Sequence, residues 1–150
     1  MLVERRSRGA GVGLLLPNKG SRMSTATLSK SRSAGIAVWI LRVVVAALFL
    51  FASFMKLSGQ PMMVQEFDTV GLGQWFRVFT GVLELVGAVA TLVPSVSVLG
   101  AVLLLLVDAG AFVAQVAVIH MDWIHTIVIG AVIAALIYLQ RDALKARLGL

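Results

Sequence analysis

The chain has 150 residues, of which 59% are hydrophobic and 13% charged, and its mean hydropathy is +0.98. Soluble domains carry roughly 25% charged residues, so this composition indicates an integral membrane protein. The absence of cysteine from the sequence excludes disulfides, dithiol redox centres, thiolate-held iron–sulfur clusters and cysteine-ligated zinc within the chain. The net charge of +6 does not indicate nucleic-acid binding, because most Lys and Arg residues cluster outside the apolar runs, as membrane topology requires.

The N-terminal segment, residues 1–33, differs in kind from the rest of the chain. Seven Lys and Arg residues are spread among Gly, Ser and Thr with no periodicity, which predicts a disordered basic tail. A second start is available at Met23, and one hypothesis is that residues 1–22 are not translated. At the other end, residues 141–150 contain three basic residues and predict a cytoplasmic basic tail.

Residues 34–140 predict an all-α integral membrane domain, a four-helix bundle. The apolar runs are continuous and do not alternate with period two, which favours helices over a barrel. Each run approaches the ~20 residues that a helix needs to cross the hydrocarbon core. The predicted spans are residues 35–54, 75–93, 96–119 and 123–139. Between the first two, residues 62–74 predict a short helix on the membrane surface, because their apolar positions recur at helical spacing.

Three charged residues lie deep inside the predicted spans: Arg42 in the first, Glu84 in the second and Asp108 in the third. A central charge costs about 2.5–3.5 kcal/mol on an insertion scale, so such residues face a bundle interior or a polar cavity. By residue count, Glu84 and Asp108 lie at the midplane, and Arg42 lies about three residues from the centre of its span, within reach of a long side chain. The sequence therefore predicts an Arg42–Glu84 ion pair, with Asp108 either joining it or staying protonated.

Helical spacing predicts that these charges lie on inward-facing stripes that also contain small residues, and small residues allow membrane helices to approach closely. Lys56, Arg77 and Gln115 lie on the same stripes and are secondary candidates for a polar site. One interpretation is that the charges only hold the bundle together. The other is that they mark a substrate, proton or quinone site. The predicted stripes are Arg42–Ala46–Phe49–Ser53–Lys56, Arg77–Gly81–Glu84–Ala88–Thr91, Asp108–Ala111–Gln115 and Thr126–Gly130–Ala134.

Two histidines, His120 and His125, lie five residues apart across a helix break. A bis-histidine haem site requires axial ligands that face each other, and this spacing does not predict one. Asp122 lies between them, but a surface metal site is only weakly indicated. We therefore expect ordinary interfacial histidines and no metal site.

The charged positions also carry a resemblance. Arg42 and Lys56 bound the polar stripe of the first span, and Gly81-Val82-Leu83-Glu84 follows in the second. This pattern resembles the DoxX family of small bacterial four-helix membrane proteins over residues 36–139. Family members often have Gly where this chain has Ser53, a difference that affects packing more than chemistry. The resemblance implies a multi-pass protein of the bacterial plasma (inner) membrane. An even number of spans then places both basic ends in the cytoplasm by the positive-inside rule.

The resemblance implies little about activity and identifies no catalytic residue. Some DoxX relatives are similar to a subunit of thiosulfate:quinone oxidoreductase, and others are linked to membrane oxidoreductase complexes in thiol or oxidative stress. By analogy, we expect a non-catalytic membrane subunit or anchor, with no cofactor held within the chain, quinone as a candidate ligand, and a soluble oxidoreductase or a second copy as partner. Two alternatives remain: a small oligomeric proton-coupled carrier in which Glu84 or Asp108 cycles a proton, and a membrane scaffold without chemistry.

Overall fold

The computed structural model describes the backbone of residues 19–120 and 123–149, and the side chains of residues 35–120, 123–146 and 148–149. The described backbone is helical apart from short turns. The described part of the chain divides into two compact units, the first through residue 33 and the second from residue 34 onward. The helices are α1 (Lys19–Leu57), α2 (Pro61–Val70), α3 (Gln74–Leu92), α4 (Ser97–Ala114) with a π-helical continuation (Gln115–Ile119), α5 (Ile124–Leu139) and α6 (Arg141–Leu148).

Within the described residues, three segments are long and apolar enough to cross a membrane: Gly35–Leu57, Gln74–Leu92 and Ser97–Ile119. They correspond to the first three predicted spans. The fourth apolar helix, α5, has 16 residues and is shorter than the ~20 that a span normally needs. The count of four spans therefore stays a prediction, whereas the membrane class is supported by three helices.

The disordered tail predicted through residue 33 is not confirmed, because α1 begins at Lys19 and residues 19–33 are helical. The sequence contains neither glycine nor proline between Gly20 and Gly35. An existing helix extends at little cost through such a stretch, since each added residue gains a backbone hydrogen bond. Residues 1–18 lie outside the described residues.

The core of the second unit is formed by apolar residues on the inward faces of four helices. Val45 and Phe49 of α1 pack in one cluster with Leu104 of α4 and with Ile133 and Leu136 of α5. The outward faces carry exposed large apolar side chains along all four helices. Such extensive exposure is rare in water and is what a lipid-facing surface requires.

The predicted inward stripes of the first two spans are confirmed by burial except at Lys56 and Arg77, which are only partly buried. The stripe of the fourth span is wrong at one position. Ala134 is exposed, and the fully buried residues of α5 are Ile133 and Leu136. Small residues do not by themselves define a packing face. In α5 the larger apolar side chains fill the core, and Gly130 instead lies beside a polar group.

Helices α3 and α4 cross closely at Gly87 and Gly100. A Cβ atom built on Gly100 would lie 2.6 Å from the backbone nitrogen of Thr91 and 2.8 Å from the carbonyl oxygen of Gly87. A Cβ on Gly87 would lie 2.6 Å from the side chain of Leu104. The two glycines thus allow the helix backbones to approach without intervening side chains.

The second unit has two ends that differ in their contents. At one end, α2 packs against α3 and against the π-helical segment. At the other, Gly35 of α1, the turn Pro94–Ser95 and Gln140 line a common cavity just before α6 begins. We refer to these as the α2 end and the α6 end.

Candidate functional site

A buried ion pair joins α1 to α3 towards the α2 end. The ammonium of Lys56 lies 2.9 Å from Oε1 and 3.1 Å from Oε2 of Glu84. One turn along each helix, the hydroxyl of Ser53 donates to the carbonyl of Gly81 at 2.8 Å. Each helix contributes two residues three positions apart, which share a face. Glu84 is only 4% exposed, so the ammonium supplies the opposite charge that a buried carboxylate requires.

Lys56 is also held through its backbone. Nη1 of Arg77 donates to the carbonyl of Lys56, which lies in the last turn of α1, where carbonyls lack helical partners. Nε of Arg77 donates to Gln74 at 2.6 Å. Gln74 in turn donates to Asp68 of α2, also at 2.6 Å. This chain of hydrogen bonds ties the end of α1 to α3 and α2 and fixes the position from which the ammonium reaches Glu84.

Asp108 of α4 lies against Gly130 of α5. A Cβ on Gly130 would lie 2.8 Å from Oδ2 of Asp108, so the absence of a side chain makes room for this carboxylate. Asp108 is 8% exposed. No cationic side chain among the described residues lies within ion-pair distance of it. Asp108 therefore brings a second acidic group to the same interior without an ionic partner of its own.

Gln115 and His125 meet across the break between the π-helical segment and α5. Their side-chain nitrogens are 3.2 Å apart. The break contains His120 in the left-handed region, with φ of 53°. Single π-helical turns are frequent at functional sites, because they re-aim side chains within a helix. The residue Asp122 lies outside the described residues.

These groups share one cavity of about 540 Å³ near the α2 end. Its volume lies in the ~300–1,000 Å³ range of small-molecule sites, and it follows their usual design of apolar walls with few polar groups. The polar side chains that line it are Lys56, Glu66, Thr80, Glu84, Asp108, Gln115, His125 and Thr126. The walls include Phe49, Phe67, Phe76, Phe79, Leu83, Leu103, Leu106, Val107 and Ile129.

The predicted Arg42–Glu84 ion pair is wrong. Nη2 of Arg42 donates to Oε1 of Gln140 at 2.8 Å, and the partner of Glu84 is Lys56. The prediction counted each depth from the centre of its own span and so placed all centres at one level. In the fold, Glu84 lies beside the last turns of α1. Arg42 precedes Lys56 by fourteen residues in α1, which corresponds to roughly 21 Å along a helix at 1.5 Å per residue.

The structure therefore brings together five of the six predicted site residues. Lys56, Glu84, Asp108 and Gln115 line the cavity, Arg77 positions the first of them, and Arg42 lies at the opposite end. The residue that sequence reasoning missed is His125, expected to be an ordinary interfacial histidine. A usable signal was present, because Gln115 and His125 are equally distant from the helix break at His120 and an antiparallel hairpin brings such positions together.

Comparison with protein families assigns the chain to a family. The model of the DoxX-like family matches residues 40–139, a segment that contains the Lys56–Glu84 pair, Asp108 and His125. The chain belongs to the DoxX-like family. Searches of curated proteins and of solved structures found no match. The membrane class of this DoxX-like protein thus rests on both its family and its apolar helices.

Proposed function

We propose that this DoxX-like protein is the membrane subunit of a redox assembly and that its cavity at the α2 end binds the head group of a quinone. The observation that carries the proposal is the cavity itself, which combines extensive apolar walls with the Lys56–Glu84 pair, Asp108 and the Gln115–His125 contact. A quinone head group is an apolar ring with two carbonyl acceptors. It requires the combination of aromatic and aliphatic walls with a few hydrogen-bond donors.

The residues present fit such a ligand. The ammonium of Lys56 has three N–H donors. The two carboxylate oxygens of Glu84 accept hydrogen bonds from one side of the ammonium, so a donor remains for a quinone carbonyl oxygen. The amide of Gln115 and the imidazole of His125 provide further donors on the opposite helices. Phe49, Phe67 and the other apolar walls exclude water from the ring. A bound quinone would supply the electron-accepting chemistry that this cysteine-free chain lacks.

The same proposal includes the topology and location. We place α5 across the bilayer as a fourth, short span, so that the chain crosses four times and both basic termini face the cytoplasm of a bacterial plasma membrane. The support is the excess of Lys and Arg in the residues that flank the helices at both termini and the positive-inside rule. Cysteine scanning answers this part directly. In intact cells, the variants Ser24→Cys and Gly149→Cys are expected not to react with a membrane-impermeant thiol reagent. Ser58→Cys is expected to react.

A binding measurement tests the ligand. The full chain is reconstituted in lipid nanodiscs and titrated with a short-tailed benzoquinone, and quenching of Trp75 fluorescence is recorded. Trp75 is a suitable reporter because its ring lies 5.7 Å from that of Phe76 and 6.2 Å from that of Phe79, and both of these line the cavity. Trp39→Phe and Trp123→Phe remove the background fluorescence. We expect saturable quenching.

Two variants assign the quenching to the site. Lys56→Met is expected to weaken quinone binding by roughly tenfold or more, the scale of one lost hydrogen bond to a charged group. His125→Ala removes an exposed side chain with little effect on folding and is expected to weaken binding less. Asp142→Asn, at the α6 end, is the matched control and is expected to bind like the unmodified protein. Linear, unsaturable quenching, or equal quenching in all variants, would contradict a quinone site.

The subunit role requires its own experiment. Gentle solubilisation and native purification are expected to recover a soluble oxidoreductase together with this protein, and repeated recovery of the protein alone would contradict the role. The carrier alternative predicts instead that proteoliposomes show proton-coupled flux that is lost in Glu84→Gln. The Lys56–Glu84 pair disfavours this alternative. A carboxylate that recognises a transported cation has to be unpaired, whereas Glu84 is already paired with the ammonium of Lys56.

A further inference from the structure

Arg42 lies at the α6 end and takes no part in the cavity proposed to bind quinone. It is only 9% exposed. Nη2 donates to the neutral side chain of Gln140 at 2.8 Å, and the guanidinium carbon lies 5.3 Å from the ring centroid of Trp39. Among the described residues, Nε is buried without a hydrogen-bond partner. The guanidinium has five donors in a fixed fork, so most of its hydrogen-bonding capacity remains unused.

The positive charge of Arg42 also lacks a negative partner. Within the described part of the chain, Lys56–Glu84 is the only ion pair. Asp142 lines the same cavity as Arg42, but it is exposed and does not reach ion-pair distance. A buried charge without a counterion is costly, by several kcal/mol in real proteins. Such a group in a native fold indicates that an anion completes the site.

The cavity next to Arg42 has room for an anion. Its volume is about 530 Å³, and it lies between α1, the Pro94–Ser95 turn and the start of α6. Four helices begin or end at this level, because α3 ends at Leu92, α4 begins at Ser97, α5 ends at Leu139 and α6 begins at Arg141. Helix ends of a membrane bundle and an aromatic residue such as Trp39 mark the level of the lipid head groups. The site therefore opens where phosphates of the bilayer are concentrated.

From this placement we infer that Arg42 binds the phosphate of an anionic phospholipid, held in the cavity at the α6 end. A guanidinium fork matches two phosphate oxygens, and such charge-assisted contacts are about twice as strong as neutral hydrogen bonds. Gln140 takes up one of the guanidinium donors, on Nη2, and the ring of Trp39 covers the group. Asp142 lines the same cavity, and its exposed carboxylate repels an anion, so the phosphate is expected on the side of Arg42 that faces away from Asp142.

The test compares lipid binding by two arginines at the same end of the bundle. Arg141 is exposed and lies over the ring of Tyr138, with its guanidinium carbon 4.5 Å from the centroid. The protein is purified with phosphatidylglycerol, and native mass spectrometry measures the lipid that stays bound as collision energy increases. We expect Arg42→Gln to lose one tightly held lipid and to bind phosphatidylglycerol roughly tenfold or more weakly. Arg141→Gln is expected to lose less than about fivefold, the effect of one surface charge.

Two further arms separate the sources of phosphate and the effects on folding. In nanodiscs of phosphatidylcholine alone, millimolar inorganic phosphate is expected to leave the melting temperature unchanged, whereas added phosphatidylglycerol raises it. Equal stabilisation by inorganic phosphate would overturn the lipid assignment. Gln140→Leu leaves Arg42 in place with another free donor and is expected to retain the lipid. Loss of the lipid from Gln140→Leu, or equal losses from Arg42→Gln and Arg141→Gln, would overturn the role of Arg42.

Discussion

The two halves of the bundle are packed in opposite ways. Towards the α6 end, α3 and α4 meet backbone to backbone at Gly87 and Gly100, and Leu104, Ile133 and Leu136 are fully buried beside them. Towards the α2 end, the same helices enclose a cavity of about 540 Å³ with charged groups in its wall. Helices in a membrane gain little from the hydrophobic effect and depend on close van der Waals contact. We call the half around Gly87 and Gly100 the close half and the half around the cavity the open half. The close half can hold the helices in place while the open half stays available for a ligand.

This comparison also explains where charge is tolerated. In the open half, Glu84 is paired with Lys56 and Asp108 faces a cavity with other polar groups. In the close half, the buried polar groups are mainly neutral, such as Thr91, whose hydroxyl donates to the carbonyl of Gly87 at 2.8 Å. The exception is Arg42, which lies at the outer edge of that half. The division predicts that substitutions act on stability in one half and on both stability and binding in the other.

The largest effect is expected from Gly100→Ala in the close half. The added methyl would lie within 3.0 Å of three backbone atoms, from Thr91, Gly87 and Ala90, and backbone atoms cannot move aside as a flexible side chain can. We expect a loss of about 3 kcal/mol in the free energy of unfolding, at the upper end of the usual range for overpacking. Denaturant titration of the protein in mixed micelles measures this loss.

Gly110→Ala is the matched control, because Gly110 lies in the same helix and an added Cβ would meet nothing within 4 Å. Alanine is favoured over glycine inside a helix by about 0.5–1 kcal/mol, so this variant is expected to be as stable as the unmodified protein or slightly more so. Equal stability of the two variants would contradict a backbone-to-backbone crossing at Gly100.

The next largest effect is expected when the ion pair of the open half is broken. Lys56→Met leaves Glu84 buried without a counterion, and removal of one partner of a buried pair costs about 3–5 kcal/mol. The Lys56 side chain is 16% exposed, so we expect a smaller loss, about 2 kcal/mol. The double variant Lys56→Met/Glu84→Leu replaces the pair with apolar side chains and is expected to recover most of this stability.

A double-mutant cycle with Glu84→Leu measures the coupling between the two residues. Quinone binding measured in the same four proteins separates the two roles of the pair. A double variant that is stable but no longer binds would show that the pair serves the ligand more than the fold. Additive losses of stability, with no coupling, would contradict the contact between Lys56 and Glu84.

Much of the fold follows from the sequence, but the pairing of its charges does not. Continuous apolar runs predict the three long helices, and helical spacing predicts the buried faces of α1 and α3, including Ser53 and Glu84. Both are local properties of the chain. The choice between Arg42 and Lys56 as the partner of Glu84 depends on how far α1 is shifted along its axis relative to α3. That shift is set by contacts between helices, such as that of Arg77 with the end of α1. The sequence of one span alone therefore does not determine it.

The smallest effect is expected from Gly130→Ala, which adds a methyl to the wall of the open half. Its Cβ would lie 2.8 Å from Oδ2 of Asp108, the far end of a side chain that can rotate into the cavity. We therefore expect a loss of only about 1 kcal/mol in the free energy of unfolding, at the lower end of the range for overpacking. The moved carboxylate is expected to weaken quinone binding more than it weakens the fold.

The double variant Gly130→Ala/Asp108→Ala checks this mechanism, because without the carboxylate the added methyl meets no atom closer than 4.0 Å. Relative to Asp108→Ala alone, the second substitution is expected to leave stability unchanged or slightly raised, as for Gly110→Ala, and to leave binding unchanged. Gly110→Ala again provides the comparison, since Gly110 also lines the cavity but lies apart from Asp108. If Gly130→Ala were equally costly with and without Asp108, the open half would be as closely packed around α5 as the close half is around Gly100.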